Sequence, residues 1–205
     1  MGATRQDDRD SRRLLVGRGL SLNGRLLNVV IRPAAAADCA GLAAVQIASY
    51  CTAYADFFPP AYFAHMTAAE QTQEWRDWLI DRPEDVLLTA VSPDQTVLGY
   101  VLARAQANIH PGYDAEIMAL HVRQADQRQG LGRALLRAAA QALQAQDCQS
   151  AMLWTLRDNP IRAWYERLSG QVVGQKMYEA DGRLITEVAY GWPDISLLLR
   201  AVGPE

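Results

Sequence analysis

In the run Gln127-Arg-Gln-Gly-Leu-Gly132 two glycines stand one residue apart, directly before a stretch rich in alanine and leucine. Glycine lets the backbone come close to a ligand, and free N–H groups at a helix start, reinforced by the macrodipole, hold a phosphate without a base or a metal. Arg128 and Arg133 place positive charge beside those amides. The run just upstream, Glu116-Ile-Met-Ala-Leu-His-Val122, is apolar enough for a buried strand. Strand, glycine loop and helix in that order read as a pyrophosphate cradle. A glycine pair alone can also do no more than shape a turn. The loop is neither the Gly-x-Gly-x-x-Gly fingerprint nor the pattern ending in Gly-Lys-Ser/Thr, so a dinucleotide and a nucleoside triphosphate lose their usual support.

The Gln-x-x-Gly-x-Gly loop resembles the signature of the GCN5-related N-acetyltransferase (GNAT) superfamily, Arg/Gln-x-x-Gly-x-Gly/Ala after a central strand. The likeness continues downstream. Met152-Leu-Trp-Thr-Leu156 reads as a strand, and Asn159-Pro-Ile-Arg-Ala-Trp-Tyr-Glu-Arg-Leu-Ser-Gly170 is similar to the family's Asn-x-x-Ala-x-x-Phe/Tyr-Tyr-Glu-x-x-Gly element. Roughly residues 29 to 191 follow the family's order of elements. The resemblance implies an α/β (α+β) GNAT fold: a mixed central sheet of six to seven strands, flanked by about four helices and splayed at the central strands. It implies acetyl-coenzyme A as cofactor, its pyrophosphate on Gln127, Arg128, Gln129, Gly130, Leu131, Gly132 and Arg133. The pantetheine arm would pair with the backbone amides of Leu120 and Val122 like an added strand, and Asn159 would hydrogen-bond it. Tyr165 would protonate the coenzyme A sulfur, and Trp164 would pack under the sheet. Two departures are small: Gln127 stands where arginine is commoner and gives mainly a backbone amide, and Gln171 follows Gly170 where an aromatic is usual.

Acyl transfer from a thioester to an amine needs a deprotonated amine, a place for charge on the carbonyl oxygen, and a proton for the departing thiolate. Glu116 is a carboxylate opening an apolar run, where burial can raise its pKa toward that of a useful base. Asp114 shares its strand parity and is the second candidate; both can equally be exposed groups at a strand entrance. A phenol such as Tyr165 suits the acid role because it stays protonated at neutral pH. His121 alternates away from Glu116 and is expected to face a helix, while His110 falls in a loop, Gln106 to Tyr113, near the acetyl-transfer end. With three histidines and no paired acids at ligand spacing, a catalytic metal has no support. Cys39, Cys51 and Cys148 form no C-x-x-C pair and sit at no nucleophile position, which favours direct attack without a covalent enzyme intermediate.

Positioning those groups requires the rest of the chain. Residues 1–28, dense in Arg and Asp and then in turn signals, read as a flexible arm or short hairpin. No helical pattern follows Gly24, so a second phosphate loop there has little support. The acetyltransferase domain is expected over 29–192, starting at the strand Val29-Val-Ile-Arg32 before Pro33. Asp38 leads a helix through Leu42, Val45 and Ile47, and a second helical pattern runs from Pro60 to about Ile80. This stretch carries Tyr50, Tyr54, Phe57, Phe58, Tyr62, Trp75 and Trp78, either a core or the wall of a partly apolar acceptor cleft or a dimer surface. Val86–Val91 and Val97–Ala103, around Ser92-Pro-Asp-Gln95, predict an antiparallel hairpin, and Gln171–Tyr178 with Leu184–Tyr190 another. Between them Leu131 to Gln146 is a helix with its apolar stripe at Leu131, Leu135, Ala138 and Ala142. Residues 193–205 read as a short helix or tail that covers the core or meets a second subunit.

At 205 residues, half of them hydrophobic, the chain can bury one sizeable core. A net charge of −3 without a basic run argues against nucleic acid, and no apolar stretch is long enough for a membrane span. Met1-Gly2 is not followed by the Ser or Thr of a myristoylation site, since position 6 is Gln. The expectation is a cytoplasmic N-acetyltransferase acting on a primary amine of a small or amino-acid-like molecule. Two other readings stay open: acetylation of a protein N-terminus, and a coenzyme A-binding module without turnover.

Overall fold

Short apolar runs alternate with helix-period segments along the chain, and the computed structural model folds that pattern into one mixed sheet with helices on both faces. It describes residues 20–22, 25–55, 57, 58, 63, 66–180 and 182–203, with 20–22, 25–27 and 107–109 through their backbone alone. The expected arm and the weighed second phosphate loop lie mostly outside these residues. From that region the structure shows a small antiparallel hairpin of β1 (Leu20–Leu22) and β2 (Arg25–Leu27).

The main sheet has seven strands: β3 (Val30–Pro33), β4 (Val86–Val91), β5 (Val97–His110), β6 (Tyr113–Val122), β7 (Ala151–Leu156), β8 (Gln171–Ala180) and β9 (Arg183–Trp192). Their spatial order is β3-β4-β5-β6-β7-β9-β8, and only the β6–β7 pair is parallel. Helices α1 (Cys39–Ala53) and α2 (Ala68–Asp81) cover one face, where Leu42, Val45 and Trp75 pack on Leu87, Tyr100 and Leu102. Helix α3 (Leu131–Gln144) and α5 (Ile195–Val202) cover the other, over Val101, Ile117, Leu153 and Tyr190. The short α4 (Arg162–Arg167) lies between β7 and β8 in sequence. Leu131, Leu135, Leu136 and Leu143 put α3's apolar stripe fully inside; each such burial contributes about 1.5–3 kcal/mol. The tail beyond residue 192 is no appendage, since Ile195, Leu198 and Val202 of α5 belong to the same core.

Local chemistry sets the element ends. Asp38 accepts from Ala35 N–H (2.7 Å) and from both arms of Arg32 (2.7 and 2.9 Å), so one buried carboxylate ties β3 to the start of α1. Thr67 caps α2 by accepting from Glu70 N–H (3.2 Å), and its hydroxyl donates to the Glu70 carboxylate (2.7 Å).

Two expectations on the central hairpin need correction. The loop expected at Gln106 to Tyr113 is the end of β5, which runs to His110 and turns at Pro111-Gly112, with Gly112 at φ +85°. Pairing with β6 carries it that far: after Ala105↔Ala115 the ladder breaks and resumes at His110↔Tyr113. His121 does not alternate away from Glu116. Opposite β5 the register steps from Ala103↔Ile117 to Leu102↔Ala119, so Met118 is a bulge and parity slips by one residue. Glu116, Ala119 and His121 therefore share the face of Arg104, Leu102 and Tyr100, their cross-strand partners.

Candidate active site

Strands β6 and β7 pair at Glu116↔Met152 and then part. The gap is a cleft of about 460 Å³, walled by Ile117 to Val122 on one side and Leu153 to Thr155 on the other. Tyr50 and Tyr54 at the end of α1 close one flank, and Asp158 to Ile161 with Tyr165 close another. Arg123 N–H donates to Leu98 O on β5 (2.9 Å). Because N–H direction alternates along a strand, the amides of Val122 and Leu120 point the other way, into the gap. An extended ligand chain meets there a strand edge lacking a partner.

The cleft ends at the glycine loop. Arg128 (φ +58°) and Gly130 (φ +86°) are both left-handed, a conformation glycine tolerates and arginine adopts only when held there. Gly130 is the N-cap of α3, and no side chain among the described residues caps that end. The amides of Leu131, Gly132 and Arg133 have no partners within the helix, and Arg128 and Arg133 are exposed beside them. Gln127 does more than lend an amide: its side chain donates to Val122 O (3.0 Å), as that of Gln129 does to Ala125 O (3.2 Å). Gln127 lashes the loop to the end of β6, and Gln129 ties it to the turn that follows the strand.

Tyr165 lies in α4 and is buried against Trp164, Tyr190 and Trp192. Burial raises its pKa, so the phenol stays protonated across the neutral range. Tyr190, its ring 5.8 Å from that of Tyr165, donates to Glu166 (2.6 Å) and accepts from Arg162 Nε (3.0 Å), which fixes the ring stack behind the phenol. Gly170 has to be glycine, because a Cβ there would lie 2.9 Å from the Trp192 ring. Asn159 accepts from Ile161 N–H (3.0 Å) through its side-chain oxygen and lines the cleft.

The two carboxylates on β6 are treated in opposite ways. Glu116 is half-buried where β6 and β7 still pair, at the root of the cleft, and is not among its lining residues. Burial raises its pKa, against the pull of Lys176 and Arg104. Burial also acts to raise Asp114, but donors from Gln149 N–H (2.9 Å), Ser150 N–H (2.9 Å) and Ser150 Oγ–H (2.8 Å) overcome it and hold this carboxyl below its ordinary range. Asp114 thereby clasps the entrance of β7. His121 packs between Tyr50 and Tyr100, and burial lowers its pKa to about 4, so it is neutral at physiological pH. His110 stacks near Tyr113 and Trp154, with Nδ1 buried and without a hydrogen-bond partner among the described residues.

Residues 47–170 match the model of the Acetyltransferase (GNAT) family. The chain belongs to the GNAT acetyltransferases. An uncharacterized N-acetyltransferase of Bacillus subtilis (strain 168), YuaI, is 29% identical over 170 residues, which are 83% of this chain and 96% of that protein. Among solved structures, a ribosomal-protein-alanine N-acetyltransferase from Brucella melitensis superposes with a TM-score of 0.62 at 17% identity, covering 80% of this chain and 98% of the other. A putative acetyltransferase from Salmonella typhimurium, yncA, solved with acetyl-CoA, gives 0.61 at 17% identity over 80% and 93%. At such identities these two show the fold. As a GNAT N-acetyltransferase the protein takes acetyl-coenzyme A as cofactor.

In this GNAT chain the aromatic stretch after α1 divides. Trp75 is core and its indole N–H donates to Gln46 (2.8 Å), whereas Tyr50, Tyr54 and Phe57 line the cleft. Phe58 joins Leu156 and Ile185 in a small cluster with Phe63 and Ala180, so the segment after α1 packs on the β8–β9 hairpin; Tyr62 lies outside the described residues. Sequence reasoning missed Met118, Trp154, Lys176 and Glu187. A bulge has no residue-type signature. The other three reach the site through pairing of β7, β9 and β8, which joins positions far apart in sequence.

Proposed function

We propose that the protein transfers the acetyl group of acetyl-coenzyme A to a primary amine of a small molecule, by direct attack in a ternary complex. One observation carries this reading: β6 and β7 share a single pair and then open, so strand-edge amides, an uncapped helix start and a buried phenol converge on one cleft. Leu120 and Val122 would hold the pantetheine arm through their amides, Asn159 through its side-chain N–H, and the loop from Gln127 to Arg133 the pyrophosphate.

The chemistry is divided among the chain's own groups. Glu116 takes the proton from the acceptor ammonium, directly or through one water, and its raised pKa suits it to that task. As the amine nitrogen forms its bond to the carbonyl carbon, charge grows on the carbonyl oxygen. Met118, which has no cross-strand partner on β5 and lies past the last β7 pair, would turn its peptide N–H to it. When the carbon–sulfur bond breaks, Tyr165 gives its proton to the thiolate. No cysteine lines the cleft, which supports direct attack over a covalent enzyme intermediate. The packing of Phe57 and Phe58 against the hairpin supports a small acceptor over a peptide terminus, which needs an open groove.

Coenzyme A release with a panel of primary amines tests the reading. Wild type should turn over at least one. Tyr165→Phe should bind acetyl-coenzyme A with unchanged affinity by calorimetry and lose about 10²-fold in kcat. Tight binding with no thiol release from any amine leaves only a binding module.

A further inference from the structure

Lys176, the chain's only lysine, lies on the sheet face of Glu116. Its ammonium is 2.9 Å from Glu187 Oε2 and 4.3 Å from the centroid of the Trp154 ring. Trp154 lines the cleft. Glu187 is mostly buried, with 19% of its side chain exposed, and interacts electrostatically with both Glu116 and the hydroxyl of Tyr54. Tyr54 in turn interacts with Tyr165 and Tyr178. Two carboxylates and an indole face thus act on one alkylammonium, on the sheet face of the base assigned above. Carboxylate plus aromatic face is how proteins recognise a cation. Half of the Lys176 side chain is exposed, and ion pairs of that kind are weak enough to exchange.

The geometry points to an acceptor subsite formed by Glu187, Glu116 and Trp154, built for a primary ammonium on an unbranched alkyl chain and occupied here by the butylammonium of Lys176. This deepens the acetyltransferase reading and rests on it. An arriving alkylammonium displaces Lys176 toward solvent and enters beside Glu116. The two carboxylates disfavour an α-amino acid, whose own carboxylate lies one carbon from its amine and would approach them.

Acetyl transfer to n-butylamine and to L-alanine, read as coenzyme A release, tests the subsite. Wild type should prefer n-butylamine at least tenfold in kcat/KM. Glu187→Gln should raise KM for n-butylamine at least tenfold, with kcat within about threefold and acetyl-coenzyme A affinity unchanged. Lys176→Met, which keeps chain length and removes the charge, should lower that KM several-fold. L-alanine used as well or better, a KM indifferent to both substitutions, or turnover of neither amine overturns the subsite. Should Glu187→Gln fail to fold by circular dichroism, the Lys176→Met KM decides alone. Release of coenzyme A with some other amine separates failure of the subsite from failure of the acetyltransferase reading, which no amine at all would signal.

Discussion

The cofactor end of the cleft is made of backbone and the acceptor end is made of side chains. At the first, Leu120, Val122 and the Gln127–Arg133 loop would act through peptide N–H groups, and the residue types matter for the shape they permit. At the second, Glu116, Trp154, Lys176 and Glu187 would act through their own functional groups, brought together from four strands by sheet order. Backbone recognition suits a ligand that is always the same, because it needs a fixed local conformation and little else. Side-chain recognition lets one fold take different acceptors by changing a few residues. A substitution at the cofactor end should therefore remove every activity, and one at the acceptor end should change which amine is used.

The sharpest way to break this contrast is Gly130→Glu. Gly130 sits at φ +86°, where a side chain costs about 1–2 kcal/mol, and the new carboxylate would stand among amides meant for an anion. Affinity for acetyl-coenzyme A should fall at least about a hundredfold by calorimetry. Gly130→Ala, which adds strain without charge, should show the smaller part of that loss. Equal losses in the two variants would mean that loop shape, and not anion binding, is what the glycine supplies.

The backbone end was legible because it is local. A glycine loop between an apolar strand and an alanine–leucine helix is contiguous in sequence, and the left-handed Gly130 and the uncapped start of α3 are what that order requires. The acceptor end was not. Met118 bulges without any sequence mark, and that single slip reverses the facing of His121. Lys176 and Glu187 are ordinary alternating strand residues until β8 and β9 pair and set them side by side, across from Trp154. The sheet itself was readable from hairpin turns and periodicity, apart from the length of β5, whose last residues are held by pairing with β6 and not by their composition.

Next in size is Glu116→Gln. Losing the proposed base should reduce kcat/KM about a hundredfold while leaving acetyl-coenzyme A affinity unchanged, since Glu116 lies at the root of the cleft and away from the cradle. In wild type the acid limb of the kcat/KM profile should fall above the ordinary glutamate range, because burial raises this pKa, and the limb should vanish in the variant. Stability moves the opposite way. A carboxyl whose folded pKa is raised favours folding while protonated and loses that contribution as pH rises through its folded value. Glu116→Gln should therefore melt above wild type at neutral pH and lose that advantage in acid; a lower melting temperature at neutral pH would show that the carboxylate is a structural partner.

Asp114→Asn, two residues away, should do the reverse on every count and gives the smallest functional effect. Both oxygens of Asp114 hold Gln149 and Ser150 at the start of β7, so the loss is structural. Weakening charged hydrogen bonds of this kind costs about 1–3 kcal/mol, visible as a lower urea midpoint at neutral pH, with kcat within about twofold. The folded pKa of Asp114 is depressed, so its contribution is present above the ordinary aspartate range and disappears as pH falls through the folded value. The gap between variant and wild type should close in strong acid. Should kcat fall in Asp114→Asn as steeply as in Glu116→Gln, the strand would carry two catalytic carboxylates, and the division between a clasp at its entrance and a base at the splay would be wrong.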